Sequence, residues 1–235
     1  MSIFSTLQAM LLEVATALGP DLRRQMTFVG GCTTGLLLTD AFTREQVRST
    51  DDVDLIVHVM GPIGFARLQE TLGTRGFRVS PQEDDEDFPV CAMKLGDLRV
   101  DFMPDDDSLG FTNLWYRDAM STSSSYELDD AITINLVSPV YFVATKLEAW
   151  QGRGRGDALS SRDLEDILNL IDGRAELQDE IASAVVEVRE YISREIALLL
   201  GDGNFEYAVS AQAKGDADRE NLLFERLEAL AGLGH

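Results

Sequence analysis

The sequence predicts an α+β protein: an α/β-like first half holding a mixed β-sheet flanked by helices, followed by a helical second half. Three observations predict it. Short β-branched and apolar runs alternate with helical stripes over the first part of the chain. Glycine and proline pairs punctuate those runs. After Ser138 the apolar residues recur almost only at helical spacing. The 235 residues suit one large domain or two small ones, and the boundary is placed to give 1–137 as an α/β-like core and 138–235 as a helical domain.

In the opening segment Ile3, Phe4, Leu7, Met10, Leu11, Val14 and Leu18 fall at helical spacing, as in an amphipathic helix laid on a core. No basic residue precedes them and Glu13 interrupts them, which is unlike a secretion signal. Gly19-Pro20 marks a helix stop. Thr27-Phe28-Val29 is a short strand ended by Gly30-Gly31, and Cys32 through Leu38 reads as a short buried helix. The polar stretch from Thr39 to Ser49 reads as a loop. Val53 to Val59 is β-branched and apolar, hence a central strand.

Gly61-Pro62 ends that strand, and Phe65, Leu68 and Leu72 stripe a helix closed by Gly73 and Gly76. Phe77-Arg78-Val79 is a further strand. Val90 to Leu95 and Leu98 to Met103 flank Gly96-Asp97, a hairpin signal. Ala131 to Val137 is another strand. Ser138-Pro139 then opens a helix through Tyr141, Phe142, Ala144, Leu147 and Trp150. A basic loop follows, with Arg153 and Arg155 among Gly152, Gly154 and Gly156. Ser160 or Ser161 starts a helix through Leu164, Ile167, Leu168 and Ile171, ended by Gly173. Ile181 to Leu200 and Asn221 to Leu230 read as further helices.

The net charge of -21 opposes tight nonspecific binding of nucleic acid but leaves room for a local basic channel. Candidates for that channel are Arg44, Arg48, Lys146, Arg153, Arg155 and Arg162. Glu83-Asp84-Asp85-Glu86-Asp87 and Asp105-Asp106-Asp107 read as solvated loops. Cys32 and Cys91 are far apart in the chain and form neither a disulfide framework nor a zinc motif, which points to a reducing compartment. No segment reads as long and apolar enough to span a bilayer. The expectation is a cytoplasmic protein with no membrane partner.

The chemistry concentrates in Arg48-Ser49-Thr50-Asp51-Asp52-Val53-Asp54-Leu55. Side chains alternate along a strand, so Asp52 and Asp54 share a face. Adjacent carboxylates repel unless a cation neutralises them, and magnesium or manganese suits oxygen ligands. Asp101, between Val100 and Phe102, can join them if its strand lies beside theirs. Three such acids can serve metal-assisted phosphoryl displacement. Gly30-Gly31, between a strand and a helix, permits close approach of backbone to phosphate, with Thr33 and Thr34 adding hydroxyls. Lys146 interrupts an apolar helical stretch between Phe142 and Trp150. It either neutralises a buried anion such as a triphosphate or extends its amine to solvent. Asp163 and Asp166 share a helix face. They pair with Lys146 or Arg153, contact a nucleotide or acceptor, or decorate an exposed helix start. His58 reads as a packed histidine.

The diglycine turn, the Asp52-Val53-Asp54 pair and Val100-Asp101-Phe102 together resemble the signature of the DNA polymerase β-like nucleotidyltransferase superfamily. Lys146-Leu147, followed by Asp163-Leu164-Glu165-Asp166, resembles the branch containing the AbiEii and MenT-type toxin nucleotidyltransferases of type IV toxin–antitoxin systems. The resemblance runs over roughly 27–171; at one position Cys32 stands where the superfamily usually has a small hydroxyl residue. It implies Mg2+- or Mn2+-dependent transfer of a nucleotide from a nucleoside triphosphate to an acceptor hydroxyl. It implies Asp52, Asp54, Asp101 and Lys146 as catalytic, the three aspartates as metal ligands, and Gly30, Gly31, Thr33, Thr34, Arg48, Thr50, Asp163 and Asp166 as nucleotide-binding. It also implies action on transfer RNA and a cognate antitoxin. A small-molecule acceptor such as an antibiotic or sugar, a protein acceptor, and an inactive nucleotide-binding module stand as alternatives.

Overall fold

The computed structural model describes residues 2–59, 61–79, 90–153 and 156–234. The acidic run at 83–87, with Gly154 and Arg155, lies outside them. The chain forms two compact units, Met1–Thr33 with Ser49–Ser138, and Thr34–Arg48 with Pro139–His235. The second unit thus takes in a segment that the sequence reading assigned to the first half.

Strands β1 (Met26–Val29), β2 (Asp52–Val57), β3 (Phe77–Val79), β4 (Ala92–Leu95), β5 (Leu98–Pro104), β6 (Ser124–Glu127) and β7 (Thr133–Leu136) make one mixed sheet ordered β3-β4-β5-β2-β1-β7-β6. Helices α1 (Ile3–Arg23), α4 (Gly61–Gly73) and α5 (Tyr116–Ser121) belong to the same unit. The other unit holds the short helices α2 (Thr34–Leu37) and α3 (Ala41–Arg44), then α6 (Pro139–Gly152), α7 (Arg162–Gly173), α8 (Leu177–Ala182), α9 (Val186–Leu200), α10 (Gly203–Ala213) and α11 (Ala217–Ala231). The fold is α+β, with a helical C-terminal region.

α1 buries Leu7, Leu11, Val14, Ala15 and Leu18 and packs on β1, β2 and β7. The expected stop is present: Gly19, at φ 68 and ψ 170, leaves helical geometry, and Pro20 opens a second short helical piece that continues the span to Arg23. By length and composition its 21 residues are apolar enough to cross a bilayer, contrary to the sequence expectation. A lone Glu13 does not disqualify it.

In the sheet unit β2 and β5 pair in parallel, and β4 and β5 form the expected antiparallel hairpin across Gly96-Asp97. One face of these strands supplies core: Val53, Leu55, Met93, Val100 and Phe102 are buried, with Phe77 edge-on to Phe102. The opposite face carries the acids. β6 was not predicted, because Ser124–Glu127 has no apolar alternation; it exists by pairing with β7.

In the helical unit α7 is the central piece. Ser161 caps it, accepting a hydrogen bond from the Leu164 N–H at 3.3 Å. Leu164, Ile167, Leu168, Leu170 and Ile171 are buried along it. The segment 34–48 is held against the end of this helix. The Thr39 and Asp40 N–H groups donate to the Gly173 carbonyl at 3.0 and 2.9 Å, and Arg174 donates to the Leu37 carbonyl at 2.7 Å. A Cβ at Gly173 would stand 2.8 Å from Thr43, so only glycine admits this approach. The expected loop at 39–49 therefore contains a helix, capped by Asp40 onto Thr43 N–H at 2.7 Å. The single helix predicted over 181–200 is two, α8 and α9, separated by a turn in which the Ala184 N–H reaches the Ile181 carbonyl at 3.1 Å. α10 was also not assigned, although Asp202 and the spacing of Phe205, Ala208, Val209 and Ala213 mark it.

Candidate active site

The parallel register of β2 and β5 sets Asp54 opposite Asp101 and Asp52 opposite Arg99. Residues opposite one another share a face, so three carboxylates and one guanidinium form a block. Ligand oxygens of Asp52, Asp54 and Asp101 all lie within 4.8 Å of one another. Asp101 is buried and the other two are half-buried.

Each acid is oriented by a neighbour. The Thr50 hydroxyl donates to Asp52 Oδ1. Arg99 Nε and Nη2 donate to the two oxygens of Asp101 at 2.9 and 2.8 Å. This hydrogen bonding raises the Arg99 pKa, with the charges of Asp101, Asp52 and Asp54 adding to it. Asp54 is accommodated by the turn after β1, where Val29 lies opposite it. Gly30 there has φ +80, and a Cβ on it would overlap the Asp54 carboxylate. The diglycine turn is thus built around an acid. Beneath the cluster, burial and then the charge of Asp101 push the Cys91 thiol up to about 12.

The donor set suits a divalent cation. Three carboxylates with one guanidinium leave excess negative charge in a partly buried space, and grouped carboxylate oxygens are the donor type that a hard divalent cation takes. With such an ion, Asp52, Asp54 and Asp101 can organise phosphoryl transfer.

The segment after Gly30 departs from expectation. Instead of a helix over 32–38, Gly31–Thr33 is a 3-10 turn and α2 has four residues. So short a helix carries no useful macrodipole, because the dipole grows by summing aligned peptide units. The Thr33 hydroxyl donates to the Gly30 carbonyl at 2.8 Å and stabilises the turn. Thr34 is fully buried. Cys32 is also buried, its thiol 3.6 Å from the Leu7 carbonyl.

In the helical unit Lys146, Asp163, Asp166 and Arg48 form one ion-pair network. Lys146 is 9% exposed and Asp166 is 0% exposed. Lys146 Nζ lies 2.8 Å from Asp166 and 3.2 Å from Asp163. Arg48 grips Asp166 with Nε and Nη2 at 2.9 and 2.8 Å, and Arg153 pairs with Asp163. Lys146 also lies 5.9 Å from the Phe142 ring centre. Burial alone would raise the Asp166 carboxyl, but Lys146 and Arg48 hold it below the ordinary carboxylate range. The lysine therefore has protein carboxylates as partners, and the two aspartates are buried rather than decorating an exposed helix start.

Two further readings change. His58 is largely exposed rather than packed, with Nδ1 2.9 Å from Asp105. Asp105 is itself buried, while Asp106 caps a turn through the Ser108 N–H at 3.0 Å. The triplet at 105–107 is therefore only partly solvated, because two of its carboxylates find local donors. Arg99 escaped the sequence reading, although its i, i+2 spacing from Asp101 was a usable signal. Compared with known proteins, the chain matches no family model and no curated sequence.

Proposed function

We propose that this chain is a metal-dependent nucleotidyltransferase. One observation carries the reading: acids from two adjacent parallel strands converge within 4.8 Å beside a glycine turn that makes room for one of them. A divalent cation bound by Asp52, Asp54 and Asp101 would supply charge neutralisation and polarise a phosphoryl oxygen. Asp101, held in orientation by Arg99, accepts the proton of the acceptor hydroxyl. The hydroxyl oxygen attacks the α-phosphorus, the α–β bridging bond breaks, and pyrophosphate leaves with the nucleotide now on the acceptor. Lys146 with Arg48 forms the cationic half of the buried network, which fixes α7 and the segment leading to β2.

The resemblance to toxin nucleotidyltransferases extends the proposal to a cytoplasmic enzyme acting on transfer RNA under the control of an antitoxin. The test uses labelled nucleoside triphosphates with Mg2+ or Mn2+, total RNA, protein and small-molecule acceptors. Label transferred by the wild type and lost in Asp54→Asn supports the reading. Triphosphate binding without transfer to any acceptor would replace it with an inactive binding module.

A further inference from the structure

One cavity of about 230 Å³ lies wholly within the helical unit, between α7, α10, the turn at Ala158–Ser160 and Gln46. Leu159 and Leu168, with alanines of α10, give it an apolar wall. Gln46, Glu165, Gln212 and Lys214 give it a polar one. Sites for small molecules combine apolar lining with a few placed polar groups in this way.

Lys214 has a left-handed backbone, φ 53, which among the described residues only glycines otherwise adopt. It caps α10, where glycine is the usual residue, and Gly215 comes next. A side chain at this position strains the backbone. A cation near a helix C-terminus is favourable, but an earlier position in the last turn would supply one without that strain. The strained position supplies reach: the amine donates to Gln46 Oε1 at 2.9 Å, at the cavity wall. Arg219 donates to the same oxygen at 3.2 Å, so Gln46 is held without Lys214. The ammonium has further protons for another acceptor.

The same wall carries acceptors. The Glu165 side chain makes no hydrogen bond or ion pair among the described residues. Desolvation raises its carboxyl, and the charges of Arg48 and Lys214 only partly offset that. Gln212, 9% exposed, donates Nε2 to Asn169 Oδ1 at 3.0 Å, which leaves its carbonyl oxygen without a donor among the described residues. Asn169 Nδ2 is buried with no partner. Buried amides are ordinarily fully bonded, so the protein alone satisfies only half of this pair.

A cation and an acid that line one small cavity without joining each other select a ligand bearing both charges. A phosphate chain would meet Glu165, and a simple amine would meet Lys214. No aromatic ring lines the cavity to stack a nucleobase. We propose that it binds a free α-amino acid with an aliphatic side chain. The carboxylate lies on Lys214, the ammonium on Glu165 and the Gln212 carbonyl, and the side chain along Leu159 and Leu168. This goes beyond the nucleotidyltransferase reading and does not rest on it.

The test is isothermal titration calorimetry of the full chain, without metal or triphosphate, against L-leucine, L-valine and L-methionine. At least one binds saturably with a Kd below about 1 mM. Its amide, which lacks the carboxylate, and its des-amino acid, which lacks the ammonium, each bind about tenfold weaker. Lys214→Gly weakens the amino acid about tenfold and leaves the amide unaltered. Glu165→Gln weakens the amino acid by about as much and leaves the des-amino acid unaltered. Glycine suits a φ of 53, so Lys214→Gly keeps or raises the thermal midpoint, and its lost binding is not lost folding. The proposal is overturned by no saturable binding of any of the three, by affinities that neither variant moves, or by tighter binding of adenosine monophosphate than of every amino acid.

Discussion

A Cβ atom placed on Gly30 would stand 1.8 Å from Oδ2 of Asp54. Turn and carboxylate interlock: φ of +80 at Gly30 opens the space that Asp54 fills. Gly30→Ala must therefore displace the acid as well as strain the backbone. Nucleotide transfer is expected to fall by about 100-fold, as for an ångström-scale misplacement of a reacting group. Stability falls by at least about 1–2 kcal/mol from the left-handed backbone alone. Transfer kinetics and urea unfolding measure the two effects. Unaltered kinetics would make Gly30 a plain turn residue.

The acid cluster predicts metal-linked stability. Mn2+ at about 100 times its dissociation constant should stabilise the wild type by about 2.7 kcal/mol, reversed by chelator. Asp52→Asn and Asp101→Asn should lose most of that gain. Thermal melts with and without Mn2+ provide the check, and equal gains in all three proteins would remove these acids from the site.

The network around Asp166 predicts an acid limit to stability. Its carboxyl is held below the ordinary range, so the unfolded state binds the proton more readily than the folded state. The stabilisation is complete above the unfolded pKa of about 3.9 and is lost as pH falls through the lower folded value. Asp166→Asn leaves Lys146 and Arg48 with less compensation and should cost about 3–5 kcal/mol at neutral pH. Its stability should also vary less than that of the wild type below about pH 4. Denaturant unfolding across pH tests both signs, and matching curves would show that Asp166 is not the titrating partner.

Cys91, with its thiol pushed up to about 12 by burial and the Asp101 charge, stays protonated at ordinary pH. Cys32 is buried too. Neither should react with a thiol reagent at pH 8 in the native protein, and both should react after unfolding. Rapid native labelling at residue 91, mapped by mass spectrometry, would contradict the packing beneath the acid cluster.

Much of the fold was legible where local signals act alone. Gly96-Asp97 marks its hairpin, Ser161 its helix start and Pro139 the opening of α6, because each acts within a few residues. β6 was not legible: Ser124–Glu127 is a strand only because β7 offers a partner. The placement of 34–48 was equally hidden, since it depends on the Gly173 carbonyl, far along the chain, receiving two N–H groups. At the site, alternation alone put Asp52 and Asp54 on one face, but it carried no information about what lay across from them.

The sequence by itself determined the α+β pattern, the candidate acids and the presence of a lysine inside an apolar helix, since periodicity and residue chemistry are properties of the local chain. Tertiary structure decided the β2–β5 register that brings Asp101 to Asp54 and the pairing of Lys146 with Asp163 and Asp166. Those relationships join residues far apart in the chain. They are selected by the burial of the opposite sheet face and of the helix cores, where a one-residue slip would turn every apolar side chain outward.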